Sequence, residues 1–117
     1  MNDNFARWFG LLLILFPLLS ASQGEVTNAR VLAESDGGEH WFTKGGSFRG
    51  NHYSPLDQVN AGNVRELGLA WSTELPIPDG TPTTPIVVDG VIYIGGAYSK
   101  VVALDASDGQ IIWTYDP

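Results

Sequence analysis

Cysteine is absent from all 117 residues. Neither a disulfide nor a thiolate metal site is open to this chain, so packing alone must hold its fold. Basic residues are scarce too, six Lys and Arg against thirteen Asp and Glu, for a formal net charge of −7. That balance speaks against nucleic acid or an anionic membrane surface as a partner, since both would repel it. No apolar run reaches the roughly 20 residues that a bilayer-spanning helix requires. The longest, Phe9 to Leu19, is also interrupted by Gly10 and Pro17. There is no long low-complexity tract, and with 44% hydrophobic residues the chain has material for one small domain.

The apolar run does have order around it. Arg7 precedes it, and Ser20, Ala21 and Ser22 follow. A weakly basic lead, a short hydrophobic stretch and small residues at its end make a secretory signal peptide. This predicts a signal helix over residues 1–22 with cleavage after Ser22; left uncleaved, the same run would serve as an N-terminal anchor. Either way the remainder is exported, and it stays acidic because Asp3 and Arg7 cancel.

Residues 23–40 read as a polar N-terminal arm with a turn at Asp36-Gly37-Gly38. Trp41 to Pro55 is rich in glycine, aromatic and basic residues, which favours turns over regular elements. Asn60 to Leu67 predicts a single helical turn, with Asn60 or Asn63 capping free amides and Glu66 in the first turn. A strand is expected over Leu67 to Leu75, centred on Ala70-Trp71. Pro76, Pro78, Pro82 and Pro85 then make a loop, because each proline removes a ladder donor. Beyond it, Ile86-Val-Val and Val91-Ile-Tyr-Ile-Gly flank Asp89-Gly90, a strong two-residue hairpin signal. Val101 to Asp105 predicts a third strand, Ser107-Asp108-Gly109 a turn, and Gln110 to Tyr115 a fourth strand. The fold class is all-β, with residues 86–115 forming one antiparallel meander.

An internal echo extends this. Gly68-Leu-Ala-Trp71-Ser-Thr-Glu is matched by Gln110-Ile-Ile-Trp113-Thr-Tyr-Asp, and the two tryptophans stand 42 residues apart. That spacing falls within the about 40 to 50 residues of one four-stranded propeller blade. The reading is the start of a β-propeller: one blade plus an N-terminal lead-in. Since each blade buries its faces against neighbours, a single one is not expected to stand alone, and Trp113 should be more exposed than in a complete propeller.

Ala103-Leu-Asp105-Ala-Ser-Asp-Gly109-Gln-Ile-Ile-Trp113 resembles the tryptophan-docking motif of quinoprotein propellers. In it Gly109 meets a turn geometry that a side chain would obstruct, Asp105 accepts hydrogen bonds from turn amides, and Trp113 offers a flat surface to wedge between blades. These four residues, Ala103, Asp105, Gly109 and Trp113, carry structural roles. Arg49-Gly-Asn-His-Tyr-Ser-Pro55-Leu, Asn63-Val-Arg-Glu-Leu-Gly-Leu-Ala-Trp71, Thr84-Pro-Ile-Val-Val-Asp-Gly-Val-Ile-Tyr and Trp113-Thr-Tyr-Asp-Pro117 widen the likeness. Residues 41–117 together resemble the opening of pyrroloquinoline-quinone (PQQ) dependent dehydrogenases of the methanol and ethanol type.

That resemblance implies an eight-bladed propeller holding the quinone beside calcium, with an aspartate as general base toward an alcohol. It further implies a periplasmic oxidoreductase, free or associated with the membrane, that passes electrons to cytochrome c or to membrane quinone. A haem domain is compatible with it. The adjacent cysteines, calcium ligands and catalytic aspartate of the family have no counterpart among these residues, so no catalytic or metal-binding residue is assigned and this stretch is expected to be inactive by itself. The family places a cofactor-contacting glutamate two residues before the Thr-Pro that opens the hairpin, and this sequence has Pro82 there. Thr83 and Thr84 are the remaining polar candidates for the cofactor. A non-enzymatic propeller scaffold of the same repeat is the alternative that Pro82 keeps open.

Other candidates read as structural. His40 and His52 lack ligand-spaced partners for zinc. Asp105 and Asp108 flank a turn without the oxygen-rich loop of a calcium site. Gly45-Gly46 and Gly95-Gly96 precede no Lys-Ser/Thr on a helix, and Lys44 and Arg49 read as loop charges.

Overall fold

A computed structural model of the chain describes residues 24–77, 80 and 83–117. The predicted signal helix at 1–22 lies outside the described residues, as does Pro82. The described part centres on one four-stranded antiparallel sheet in the order β1 (Ile86–Val88), β2 (Val91–Gly95), β3 (Val101–Asp105) and β4 (Ile111–Tyr115). This is the expected meander. Its first turn forms because Asp89 and Gly90 both take positive φ, 50° and 75°, the twist-matched geometry for which Asp-Gly is suited. Ile86 pairs with Tyr93, and Tyr93 in turn with Ala103, which pairs with Trp113. Leu104 faces Ile111, so Ile112 is an extra residue that bulges β4.

Strand alternation gives the sheet two apolar faces. On one, Val88 and Tyr93 pack with Phe42 and Val31. On the other, Val102 and Leu104 pack with Ile77, bordered by Leu75, Ile92 and Ile94. Val102, Ala103 and Leu104 are almost wholly buried, whereas every residue of β4 is exposed. Trp113 remains 44% exposed.

Val31 belongs to an element that a polar arm over residues 23–40 does not include. Helix α1 (Asn28–Glu34) starts where the Thr27 hydroxyl accepts from the Arg30 amide at 3.2 Å, and ends where the Ser35 hydroxyl donates back to the Val31 carbonyl. Two turns are too few to persist in water unaided. Docking of Val31 on Phe42 and Val88 supplies the rest.

The strand expected over Leu67 to Leu75 is corrected as well. Those residues form no ladder among the described residues. The alternation behind the expectation is nevertheless present, since Trp71, Thr73, Leu75 and Ile77 turn inward and Ser72, Glu74 and Pro76 outward. The segment is a strap laid across a sheet face and held by side chains, so its period of two reports which side is covered, not backbone pairing. Residues 60–66 do give one tight turn, Val64–Glu66, but without the expected cap. Asn60 and Asn63 use their side-chain oxygens on the amides of Gly62 and Asn60, building the approach to the turn.

Candidate functional site

The sheet has two ends, and the residues singled out in the sequence divide between them. At one end lie the β1–β2 and β3–β4 turns. Asp105 Oδ1 accepts from the amide of Ser107 at 2.8 Å and from its hydroxyl at 2.6 Å. Those bonds, the hydroxyl's first, hold the Asp105 carboxyl below the usual carboxylate range. Asp108 closes the other half, accepting from the amide and side chain of Gln110. Gly109 has φ 74°, and a Cβ there would lie 2.3 Å from Cε3 of Trp71. The indole of Trp71 thus lies directly on Gly109 while its Nε1–H donates to the Ala106 carbonyl at 3.2 Å. Thr73 adds a bond to the Gly109 carbonyl at 2.6 Å.

The structure therefore brings Asp105 and Gly109 together with Trp71, the tryptophan one repeat earlier. Trp113 sits elsewhere. Its ring meets Tyr93 with centroids 6.0 Å apart, and the small, fully buried Ala103 stands between them in the pairing register. The repeat of the two tryptophans is plain in the sequence, and its 42-residue spacing is the signal from which Trp71 could have been assigned to this turn.

A polar cluster at the same end is missed by the sequence-based reading, which weighed only its His40 and not the partners it has. Arg30 of α1 forms a two-pronged pair with Asp89, one prong at 3.1 Å, and also donates to Glu34 at 2.9 Å and to the Gly24 carbonyl at 2.8 Å. Its guanidinium lies 5.6 Å above the Phe42 ring centre. Asp89 holds the Arg30 pKa above its already high value, and Arg30 holds the Asp89 carboxyl below the usual range. His40 completes the group: its Nδ1 accepts from the Asp89 amide at 3.3 Å, and its Nε2 faces Glu34 at 3.2 Å. The spacing of Arg30 and Glu34 by four is the legible signal. The cluster fastens α1 to the first hairpin. His52 is exposed with φ 53°, and Lys44 and Arg49 are exposed on the loop. Among the described residues no group of three or more His, Asp or Glu could hold a metal.

The opposite end carries Thr83, Thr84 and the β2–β3 connection. Thr83 Oγ1 donates to the Gly95 carbonyl at 2.7 Å and accepts from the Gly95 amide at 3.0 Å. Thr84 is exposed. Across the connection, Tyr98 and Ser99 are successive non-glycine residues with φ 57° and 62°, a conformation that costs on the order of 1 to 3 kcal/mol per residue. Lys100, a cation at this end, is paired with Asp116 at 2.7 Å. The donors that Thr83 and Thr84 contribute are hydroxyls. The single donor hydrogen of Thr83 is spent on the Gly95 carbonyl, so of the two candidates the exposed Thr84 is the one with a hydroxyl to offer a polar ligand, and neither brings a charge.

Residues 41–117 match the family described as the β-propeller domain of glucose, ethanol and alcohol dehydrogenases that use PQQ. The chain is 45% identical over 102 residues to the quinohemoprotein alcohol dehydrogenase ADH-IIG of Pseudomonas putida, covering 86% of this chain and 14% of that one. It is 51% identical over 81 residues to a cytochrome c 1-butanol dehydrogenase of Thauera butanivorans, covering 69% and 12% respectively. The crystal structure of the quinohemoprotein alcohol dehydrogenase of Comamonas testosteroni superposes with a TM-score of 0.72 at 43% identity, over 79% of this chain and 14% of that one. The chain thus spans only a small part of the length of the relatives it matches.

Proposed function

This chain belongs to the PQQ dehydrogenase β-propeller family, and on that premise we propose that it is the N-terminal portion of a PQQ-dependent alcohol dehydrogenase. The observation that carries the reading is the family match across residues 41–117, which contains the whole four-stranded sheet. The full-length enzyme oxidises a primary alcohol or a related alcohol or aldehyde, passing electrons to cytochrome c or membrane quinone. The apolar run at Phe9 to Leu19 supports export to the periplasm.

Within this assignment the two ends of the sheet differ in role. The Gly109 end is structural, a seat for an aromatic ring of the preceding repeat. At the opposite end the exposed Thr84 would be the residue of this stretch to hold the polar rim of the quinone, whose chemistry when bound is to accept the hydride of the alcohol. Groups that neutralise the quinone, ligate calcium and abstract the substrate proton belong to the remainder of the protein, so residues 1–117 alone are inactive. A haem domain is an option for the full-length enzyme, since relatives are named quinohemoproteins.

The test is expression of the full-length reading frame into the periplasm, reconstitution with PQQ and calcium, and measurement of dye-linked alcohol oxidation. Activity that requires both additions is the expected result. A folded protein that takes up no quinone would refute the enzyme and support a propeller scaffold.

A further inference from the structure

β1 is shorter than the strand it pairs with. Its ladder with β2 ends at Ile86 opposite Tyr93, so Ile94 and Gly95 continue β2 without a ladder partner from β1. The residue before β1 is Pro85; it has the alternation of Val87, whose amide and carbonyl bond Trp41 on the side away from β2, so its missing amide hydrogen leaves no unmet bond on β2. At Gly95 the Thr83 side chain takes the place of a strand. A single hydroxyl donates to the Gly95 carbonyl at 2.7 Å and accepts from its amide at 3.0 Å, the two bonds that a paired residue would otherwise supply. Because a threonine hydroxyl has one donor hydrogen, this arrangement leaves none for a ligand. The fit is close on both sides. A Cβ on Gly95 would stand 3.0 Å from Cγ2 of Thr83, and one on Gly96 would stand 2.5 Å from Cγ2 of Ile77. Ile77 and Thr83 thus rest on adjacent glycines at the same strand end.

We infer that Thr83 is a positioning residue: its clasp on Gly95 fixes the backbone that leads through Thr84 and Pro85 into β1, so that Thr84 presents its hydroxyl to the quinone while Thr83 does not touch it. The inference rests on the dehydrogenase reading for its ligand, and on the Thr83–Gly95 geometry for its mechanism.

The experiment compares Thr83→Ser, Thr83→Val and Thr84→Val in the full-length protein. Two quantities are measured: PQQ affinity in the presence of calcium, and hydrogen exchange at the Gly95 amide without PQQ. Thr83→Val is expected to speed Gly95 exchange and to weaken PQQ binding about three- to tenfold, the scale of one or two solvent-accessible hydrogen bonds. Thr83→Ser keeps the hydroxyl and should stay within about twofold of wild type on both measures. Thr84→Val should weaken PQQ binding and leave Gly95 exchange unchanged. Unaltered Gly95 exchange or unaltered PQQ affinity in Thr83→Val, or a Thr83→Ser variant as impaired as Thr83→Val, overturns the inference. Wild-type protein that binds no PQQ overturns the dehydrogenase reading instead, and Gly95 exchange in the two Thr83 variants then decides the clasp separately.

Discussion

Replacing Gly109 with alanine should be among the costliest single-methyl changes in this chain, and its cost can be divided. The backbone at Gly109 has φ 74°, which an L-residue occupies at a penalty of about 1 to 2 kcal/mol. The new Cβ would also stand 2.3 Å from Cε3 and 2.7 Å from Cδ2 of Trp71, and 2.6 Å from Oγ1 of Thr73. No van der Waals contact is that short, so the indole must leave. With it go the Trp71–Ala106 and Thr73–Gly109 hydrogen bonds, at about 1 kcal/mol each. The expected total is about 3 to 4 kcal/mol. Native-state hydrogen exchange of the Ala106 to Gln110 amides in the full-length protein reads this locally, where a global melting curve of a many-bladed protein would blur it. A double-mutant cycle with Trp71→Ala isolates the steric part. In that background Gly109→Ala should cost only the backbone strain and the residual Thr73 contact, giving a coupling of about 1 to 2 kcal/mol. An equal cost with and without the indole would show that Gly109 is not the seat of the ring.

The ion pairs and the core each give a further test. Arg30 holds the Asp89 carboxyl below its unfolded value of about 3.9, so the stabilisation is present above that pH and is lost as pH falls through the depressed folded value. Exchange protection of α1 should therefore decline on acidification below about pH 4, and Arg30→Met should weaken protection at neutral pH while flattening that decline. Val102→Ala, at the fully buried centre of β3, should destabilise the sheet by about 2 kcal/mol through two lost methyl groups, read from exchange of the β2 and β3 amides.

Much of the sheet was legible because its signals are local. Asp89-Gly90 selects one turn geometry, and the flanking β-branched runs have no competing helical period. The strap at Leu67 to Leu75 misleads for a physical reason: inward and outward alternation is the same whether an extended segment pairs through its backbone or lies across a face on its side chains. Helix α1 is obscured because its seven residues bury little on their own, and its main fastening, Arg30 to Asp89, joins positions 59 residues apart. At the candidate site the sequence points to Thr83 and Thr84 equally. Only the position of Gly95 separates them, and a glycine ending a β-run carries no sign of which side chain will rest on it.

The seat of Trp71 also imposes an order of assembly. Its acceptor on Ala106 lies 35 residues further along the chain, and the carbonyl that Thr73 uses lies 36 further. A chain that emerges amino end first exposes the indole and the alternating apolar side chains of the strap before the surface that covers them exists. The β1–β2 hairpin can close from neighbours within about 1 to 10 microseconds. The strap must wait for β3 and its following turn. During that interval it is an extended apolar segment without cover, the state in which holding chaperones act and in which slow emergence would favour aggregation.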